Sequence, residues 1–283
     1  MIWKTRRDSL DFNEKGNASA ALMGILNTTP DSFSDGGLHQ AGSRAVRVAL
    51  EMQDAGAAII DVGGESTRPG APPVSAEEEI ARTAPVIESI RAQSDVLISI
   101  DTSKAAVALA AIAAGADIVN DVTGLLGDPD MSTVCAESGV GVVVMHMQGT
   151  PRTMQQNPQY TEGVVAEVAD FFRQRCRALV EAGIQLESLC FDPGIGFGKT
   201  LDQNLALIQQ LAALQSDIAR PLLLGVSRKS FLGTITGIET PEHRDAATAM
   251  ITAMTCQQGV CLHRVHNVPL NKQALQLAAS VSS

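Results

Sequence analysis

Residues 23–37 read MGILNTTPDSFSDGG. The apolar run from Ala21 through Leu26 is long enough for one buried strand, and polarity flips at Asn27. Thr, Pro, Asp, Ser and Gly then crowd the segment, which is loop composition. A strand that ends by delivering an Asn side chain to the foot of a long polar loop is a scaffold presenting a reagent. The remainder of the chain repeats that grammar.

Residues 57–62 (AAIIDV) lead into GGESTRPG at 63–70, and residues 96–100 close on Asp101-Thr102-Ser103-Lys104. Residues 117–119 end in Asn120-Asp121, and 140–145 run into HMQGTP at 146–151. Residues 188–191 precede DPGIGFGK at 192–199, and 221–226 precede SRKSF at 227–231. A last strand starts at 259–262 and ends in RVHN at 264–267. Between these strands the period changes to that of helices. Residues 38–55 put Ala45, Val48, Ala49 and Met52 on one face and stop at Gly56. Ser75 followed by Glu77, Glu78 and Glu79 marks a helix start, since acids favour the positive end. An alanine-rich helix breaks at Gly115, and further helices are predicted at 161–182, 201–214, 241–257 and the C-terminus. The 241–257 helix is apolar on most faces and is expected to be covered.

An open doubly wound sheet would also alternate in this way. Eight strand-then-helix units without a linker are the arithmetic of a (β/α)8 barrel. The predicted layout is a polar lead-in over residues 1–20 and one α/β barrel domain over 21–283. In such a barrel the loops after the strands gather at the C-terminal rim. Asn27, Asp61, Asp101, Asn120, His146, Asp192, Lys229, Arg264 and His266, scattered along the sequence, are therefore expected to meet at one mouth.

Bulk composition narrows the function classes. The 283 residues are 45% hydrophobic, enough for a large core, and carry a net charge of −10 with a pI near 4.9. No basic stripe is present, which argues against nucleic acid or an anionic membrane as partner. An anionic substrate would have to be held by a few placed cations. Five cysteines, an odd number without a C-x-x-C pair, read as reduced thiols in a cytoplasmic protein. Arg6-Arg7 lies among Asp8, Asp11 and Glu14 with no apolar core behind it, and so reads as incidental rather than an export signal. No apolar run approaches the length of a membrane span.

The loop at 192–200 looks at first like a nucleotide site. A Walker A loop needs Gly where Pro193 stands, and a dinucleotide fingerprint needs Gly where Lys199 stands. Its glycines are better read as letting the backbone approach a flat ligand or pack closely. Asp101, Asn120 and Asp192 each end an apolar strand, where a buried acid is costly unless paired. Singly, each is equally well explained by a salt bridge or a helix cap. Together they suit a heterocycle rich in N–H groups, such as an aminopyrimidinone edge.

Lys229 has two functional readings, a Schiff base with a carbonyl substrate or a fixed cation, beside that of a solvated loop lysine. Its neighbours Ser227, Arg228 and Ser230 lie where a helix can start, a favourable place for an anion. Arg68, Arg264 and His266 are the anion candidates, with Asn27 beside them. Strand alternation turns His263 away from them. His39 and His243 are expected at the surface, and His146 as a packed or rim histidine rather than a ligand. A metal is expected only as an ion carried in with phosphate, because no cage of carboxylates is present. Magnesium prefers that arrangement.

At this point the strings MGILNTTPDSFSDGG, IIDVGGESTRPGA, ISIDTSK, IVNDVTG, VVMHMQGTP, FDPGIGFGK, LLLGVSRKSF and RVHNV are all in hand. In that order and spacing the chain resembles the dihydropteroate synthase family of folate biosynthesis from Leu22 onward. The resemblance implies a TIM barrel and a homodimer. It also implies the condensation of 6-hydroxymethyl-7,8-dihydropterin pyrophosphate with 4-aminobenzoate, releasing pyrophosphate. Carried over by motif, Asp101, Asn120, Asp192 and Lys229 would hold the pterin. Asn27 would bind Mg²⁺ on the pyrophosphate, with Thr67, Arg68, Arg264 and His266 around it. Loops bearing Phe33 and Asp35, and Thr67 and Pro69, would close over the aminobenzoate, and Ser230 would meet its carboxylate. The polar loops 28–39 and 63–74 suit a water-excluding lid. Sulfonamides mimic aminobenzoate in this family.

The chain departs from the family at Asn267, where Asp is common, at Thr28, where Val is usual, and in RDAATAM at 244–250. These departures touch the surroundings of His266 and a subunit interface. The competing readings are a pterin-binding methyltransferase serving a corrinoid protein, which needs no pyrophosphate clamp, and a non-catalytic pterin-binding paralogue.

Overall fold

A short antiparallel hairpin, β1 (Ile2–Lys4) and β2 (Ser9–Asp11), precedes eight parallel strands. These are β3 (Ala21–Asn27), β4 (Ile59–Gly63), β5 (Leu97–Asp101), β6 (Ile118–Asp121), β7 (Gly141–Met145), β8 (Leu189–Asp192), β9 (Leu223–Leu224) and β10 (Leu262–Val265). The computed structural model describes residues 1–12, 20–28, 37–66, 71–149, 154 and 158–281, with the backbone only for 37–41. Most of these strands are buried along their full length, as parallel strands covered on both faces must be. Between them run α1 (Gly37–Asp54), α2 (Ala76–Arg91), α3 (Ala105–Ala114), α4 (Met131–Ser138) and α5 (Val164–Glu181). The series continues with α6 (Leu201–Gln209), α7 (Leu211–Ile218), α8 (Ser230–Thr236), α9 (Asp245–Cys256) and α10 (Val268–Val281).

The strand order is β8-β7-β6-β5-β4-β3-β10-β9, and a parallel bridge from Phe191 to Leu222 joins the last strand back to β8. The Phe191 amide donates to the Pro221 carbonyl at 2.9 Å across that seam. The predicted (β/α)8 barrel is therefore closed.

Alternation along each strand makes two cores. Leu26, Val62, Ile100, Val119, Val144, Phe191, Leu224 and Val265 point outward beneath the helices. Met23, Ile59, Leu97, Ile118, Val143, Cys190, Leu223 and Leu262 fill the lower interior, where Trp3 of β1 joins them. Higher in the barrel the register sets Ile25 beside Asp61, Asp61 beside Ser99, and Gly63 beside Asp101. Inward positions thus change from apolar to polar at the C-terminal end, and that end becomes the mouth.

The lead-in does more than its polar composition suggests. Trp3 is fully buried and donates its indole N–H to the Ser188 carbonyl at 2.8 Å, plugging the bottom of the barrel. The twin arginine read as incidental is structural. Arg7 Nε bonds buried Asp117 Oδ1 at 2.7 Å, and Arg6 donates to the Ile112 carbonyl at 2.7 Å. Arg91 takes the second Asp117 oxygen at 2.6 Å. A fully buried carboxylate needs such partners, and no local spacing announces ones this distant.

Element bounds differ where local chemistry intervenes. The 221–226 strand is regular only at Leu223–Leu224, with Leu222 pairing to Phe191 as an isolated bridge. The 201–214 helix is two, broken at Gln210. The 241–257 helix begins as a 3₁₀ turn before α9. Helix α4 is short and buries only Met131 and Cys135, too little periodicity to predict it.

Replacing Trp3 removes a plug that the rest of the interior cannot collapse to fill. Trp3→Ala is expected to cost about 3–5 kcal/mol of unfolding free energy, read by urea titration as a lower midpoint at unchanged slope.

Candidate active site

Strand β10 carries the central charge. Its alternation points His263 outward and Arg264 inward. His263 is fully buried and its ring nitrogens have no partner among the described residues, and burial pushes its pKa down to about 3. Arg264 Nε donates to Asp61 Oδ2 of β4 and its Nη2 to Asp101 Oδ2 of β5, each at 2.6 Å. Asn120 Nδ2 of β6 donates to the same Asp61 oxygen at 3.2 Å. Four strands are thereby tied into one polar floor. Burial opposes the guanidinium's charge, but Asp61 and Asp101 more than reverse that and hold its pKa raised. Burial raises the Asp101 pKa, with Arg264 pulling it back.

On the other side of the mouth Asp192 ends β8. Its Oδ1 accepts from the Gly194 amide at 2.7 Å. Its Oδ2 lies 3.5 Å from the position a Cβ would take on Gly225, and Lys229 Nζ lies 3.9 Å from that same point. A side chain at 225 would stand between the two. Lys229 donates to the Ile195 carbonyl and lies 4.6 Å from the centre of the Phe197 ring. Both contacts suit an ammonium held as a fixed cation. Burial lowers the Lys229 pKa to about 8, with Asp192 resisting. Burial raises that of Asp192, against Lys229, the Gly194 amide, Lys199 and Arg264.

His266, just past β10, has Nδ1 2.9 Å from Ser227 Oγ, and the Ser227 hydroxyl also accepts the His266 amide at 3.1 Å. Nearby, Asp245 takes a two-pronged ion pair from Arg228 at 2.7 and 2.8 Å and a bond from Asn267 Nδ2 at 3.1 Å. Asn267 also accepts the Leu270 amide at 3.1 Å and so caps the first turn of α10. The Asn that departs from the family pattern thus bridges Asp245 to a helix start. Ser230 opens α8 and is exposed.

Asn27 ends β3 with its side chain exposed. A Cβ on Gly63 would lie 3.8 Å from both Asn27 Oδ1 and Asp101 Oδ2, so the missing side chain leaves room between those oxygens. Among the described residues no three His, Cys, Asp or Glu side chains are grouped to hold a metal. A magnesium ion carried in with phosphate could take the neutral Asn27 oxygen.

Asp101, Asn120, Asp192, Lys229, Arg264 and His266 thus share the rim, as their places at strand ends lead one to expect, and Asn27 stands beside Gly63 there. Phe33, Asp35, Thr67, Arg68 and Pro69 lie outside the described residues, with the rest of 29–36 and 67–70 in the two polar loops. For three participants the sequence shows the residue but not its partner. Asp61 was placed at a strand end without its role as partner to Arg264 and Asn120, although an acid inside AAIIDV already signalled a buried pair. Ser227, the partner of His266, gave no signal beyond its place in SRKSF. Lys199 is buried beneath the site and was read only as a residue that breaks a nucleotide fingerprint. His146 is a packed histidine, edge-on to Phe171 with ring centres 4.9 Å apart.

Residues 23–266 match the family model described as pterin binding enzyme. The chain is 44% identical to the dihydropteroate synthase of Escherichia coli strain K12 over 262 residues, 93% of this chain and 92% of that one. Among solved structures, dihydropteroate synthase of Yersinia pestis in a sulfonamide drug complex superposes with a TM-score of 0.91 at 40% identity, covering 100% of both chains. That of Xanthomonas albilineans with 4-aminobenzoic acid gives 0.88 at 41% identity over 97% of this chain and 96% of that chain.

Removing the guanidinium strands two carboxylates at the floor of the mouth. Arg264→Met is expected to lose about 3–5 kcal/mol of stability at neutral pH. The deficit relative to wild type should shrink as the pH falls, because Asp101, whose pKa burial raises, takes up a proton once its cation is gone. Urea titrations at neutral and mildly acidic pH check both parts.

Proposed function

This chain belongs to the pterin-binding enzyme family, and we infer that it works there as a dihydropteroate synthase, a transferase of folate biosynthesis. It condenses 6-hydroxymethyl-7,8-dihydropterin pyrophosphate with 4-aminobenzoate to give 7,8-dihydropteroate and pyrophosphate. The observation that carries this reading is the rim itself. Acceptors on β5, β6 and β8 and cations on β10 and the β9–α8 loop form one linked cluster at the mouth.

The chemistry asks for no covalent nucleophile. The bond between the pterin methylene and the pyrophosphate oxygen breaks, its electron pair leaves with the phosphate, and the ring delocalises the positive charge left behind. The aminobenzoate nitrogen then bonds the methylene and gives up a proton to solvent. The protein's tasks are to orient, to stabilise the departing charge, and to keep water from trapping the cation. Asp192 and Asn120 Oδ1 accept from the pterin's N–H groups while Lys229 donates to its acceptors, a lysine acting as a cation rather than a Schiff base. Asp101 fixes Arg264, which would meet the anion with His266; the family pattern adds Thr67 and Arg68 to that side.

In this reading Asn27 would hold a Mg²⁺ ion carried in with the diphosphate, and the ion would offset part of the charge that leaves. By the family pattern, Phe33, Asp35, Pro69 and Ser230 would take the aminobenzoate, the substrate that sulfonamides mimic. We place the enzyme in the cytoplasm on the strength of its five free cysteines. No helix among the described residues is long and apolar enough to cross a membrane. A corrinoid methyltransferase would have no use for the anion side of the rim, and the close relatives favour the synthase.

Pyrophosphate release is expected only when both substrates and Mg²⁺ are present. Asp192→Ala and Lys229→Ala should each lower kcat/KM for the pterin substrate by about 10²-fold, the worth of one or two charged hydrogen bonds, with unchanged circular dichroism. Wild-type rates in both variants would remove the pterin assignment.

The same reading includes a homodimer. Met250 and Met254 on α9 and Leu277 and Val281 on α10 are 61–74% exposed at helical i,i+4 spacing, an apolar strip that a second subunit would cover. Sedimentation should show a dimer, and Met250→Glu with Met254→Glu should sediment as a monomer.

A further inference from the structure

Lys199 is buried, at 3% exposure, and lies one layer below the proposed pterin pocket. Its Nζ reaches the Phe197 carbonyl at 2.9 Å, the Gly194 carbonyl at 3.0 Å and His146 Nδ1 at 3.0 Å, with the His146 carbonyl at 3.4 Å. The carbonyls can only accept. The His146 ring, whose pKa burial and then Lys199 push down to about 3, is neutral and accepts at Nδ1 as the Nε2–H tautomer. Three near partners, all acceptors, match the three N–H bonds of an ammonium. A neutral amine would turn its lone pair on one of them.

The turn it holds is one that glycine alone permits. Gly194 has φ +66°, and a Cβ there would fall 1.9 Å from the His146 carbonyl oxygen, so the β8–α6 and β7–α5 loops pack backbone to backbone. The same turn is wired into the pocket. The Gly194 amide donates to Asp192 Oδ1, the Ile195 carbonyl accepts from Lys229, and the Phe197 ring lies beneath that lysine's ammonium.

We propose that Lys199 is a positioning residue of the pterin pocket: its ammonium ties residues 194–197 to the β7–α5 loop and stands as a fixed positive charge behind Asp192, keeping that carboxylate an acceptor. The choice of ligand rests on the synthase reading above; the charge relation to Asp192 does not. The groups facing Asp192 are Lys229 from the β9–α8 loop, Arg264 from β10, the Gly194 amide and Lys199 from its own loop, and the buried Cys190 thiol two residues back on β8. His146 stands behind Lys199, and Asp101 faces Lys229. Burial lowers the Lys199 pKa to about 7, with Asp192 resisting. Below neutrality Lys199 is therefore an ammonium.

The test compares wild type, Lys199→Met and Lys199→Gln. Met removes donors and charge, whereas Gln keeps two donors without the charge. Binding of 6-hydroxymethyl-7,8-dihydropterin is measured by titration calorimetry as a function of pH, and the Asp192 carboxyl is followed by carbon-13 NMR in the ligand-free protein. Both variants should bind about tenfold more weakly just below neutrality, where wild-type Lys199 is charged, and both should lose binding at a pH about one unit higher than wild type does, the scale of one nearby charge. The NMR titration of Asp192 should move up with it. Should Lys199→Met fail to fold, Lys199→Gln carries the same comparison. Unchanged affinity and pH profile in the variants overturn the proposal. So does a uniform loss of affinity with the Asp192 titration unmoved, which would make the lysine a tether only. A wild-type protein that takes up no dihydropterin contradicts the synthase reading instead, and the Asp192 titration then still decides whether Lys199 acts on it.

Discussion

Arg264 lies with Nε against Asp61 and Nη2 against Asp101, at the level where the apolar barrel interior gives way to a polar mouth. A guanidinium cannot shed its proton to escape burial, so it requires the two acids. The acids, set in apolar strands, require it in return. This mutual requirement fixes three strands at one height and stops the aliphatic core from continuing to the rim. The Asn120 amide joins through Asp61, and the floor so formed is rigid, charged and open on one side.

The opposite wall is built differently. Asp192 and Lys229 lie on either side of Gly225, whose lack of a side chain keeps them open to the mouth. They are held in place from behind by the 192–199 loop rather than by each other. Acceptors and donors remain available there because the structural bonds go to backbone groups. The site thus divides its labour. One set of charges is consumed in holding the barrel end, and another is presented to a ligand.

Much of this was legible in the sequence. Alternation between apolar strands and polar loops gives the barrel, and period-two alternation along RVHN separates Arg264 from His263. What the sequence withheld was partnership across distance. Asp61 and Arg264 are 203 positions apart, and Arg7 and Asp117 are 110. No local pattern couples them. The role of Lys199 is hidden for a related reason, since the carbonyls that enclose it come from its own loop's fold and from His146 on another strand's loop. The two-residue β9 is strand-like in composition over 221–226, yet its regular ladder is confined to Leu223–Leu224.

The central claim is that groups from distant parts of the chain form one cup for a bicyclic pterin. A crystal structure with 7,8-dihydropteroate bound tests it most directly. The pterin ring should lie between Asp192, Asn120 and Lys229, above the Arg264–Asp101 pair, with its aminobenzoate arm running toward Ser230. Density for the pterin elsewhere on the barrel, with Asp192 and Lys229 left facing solvent, would contradict the account.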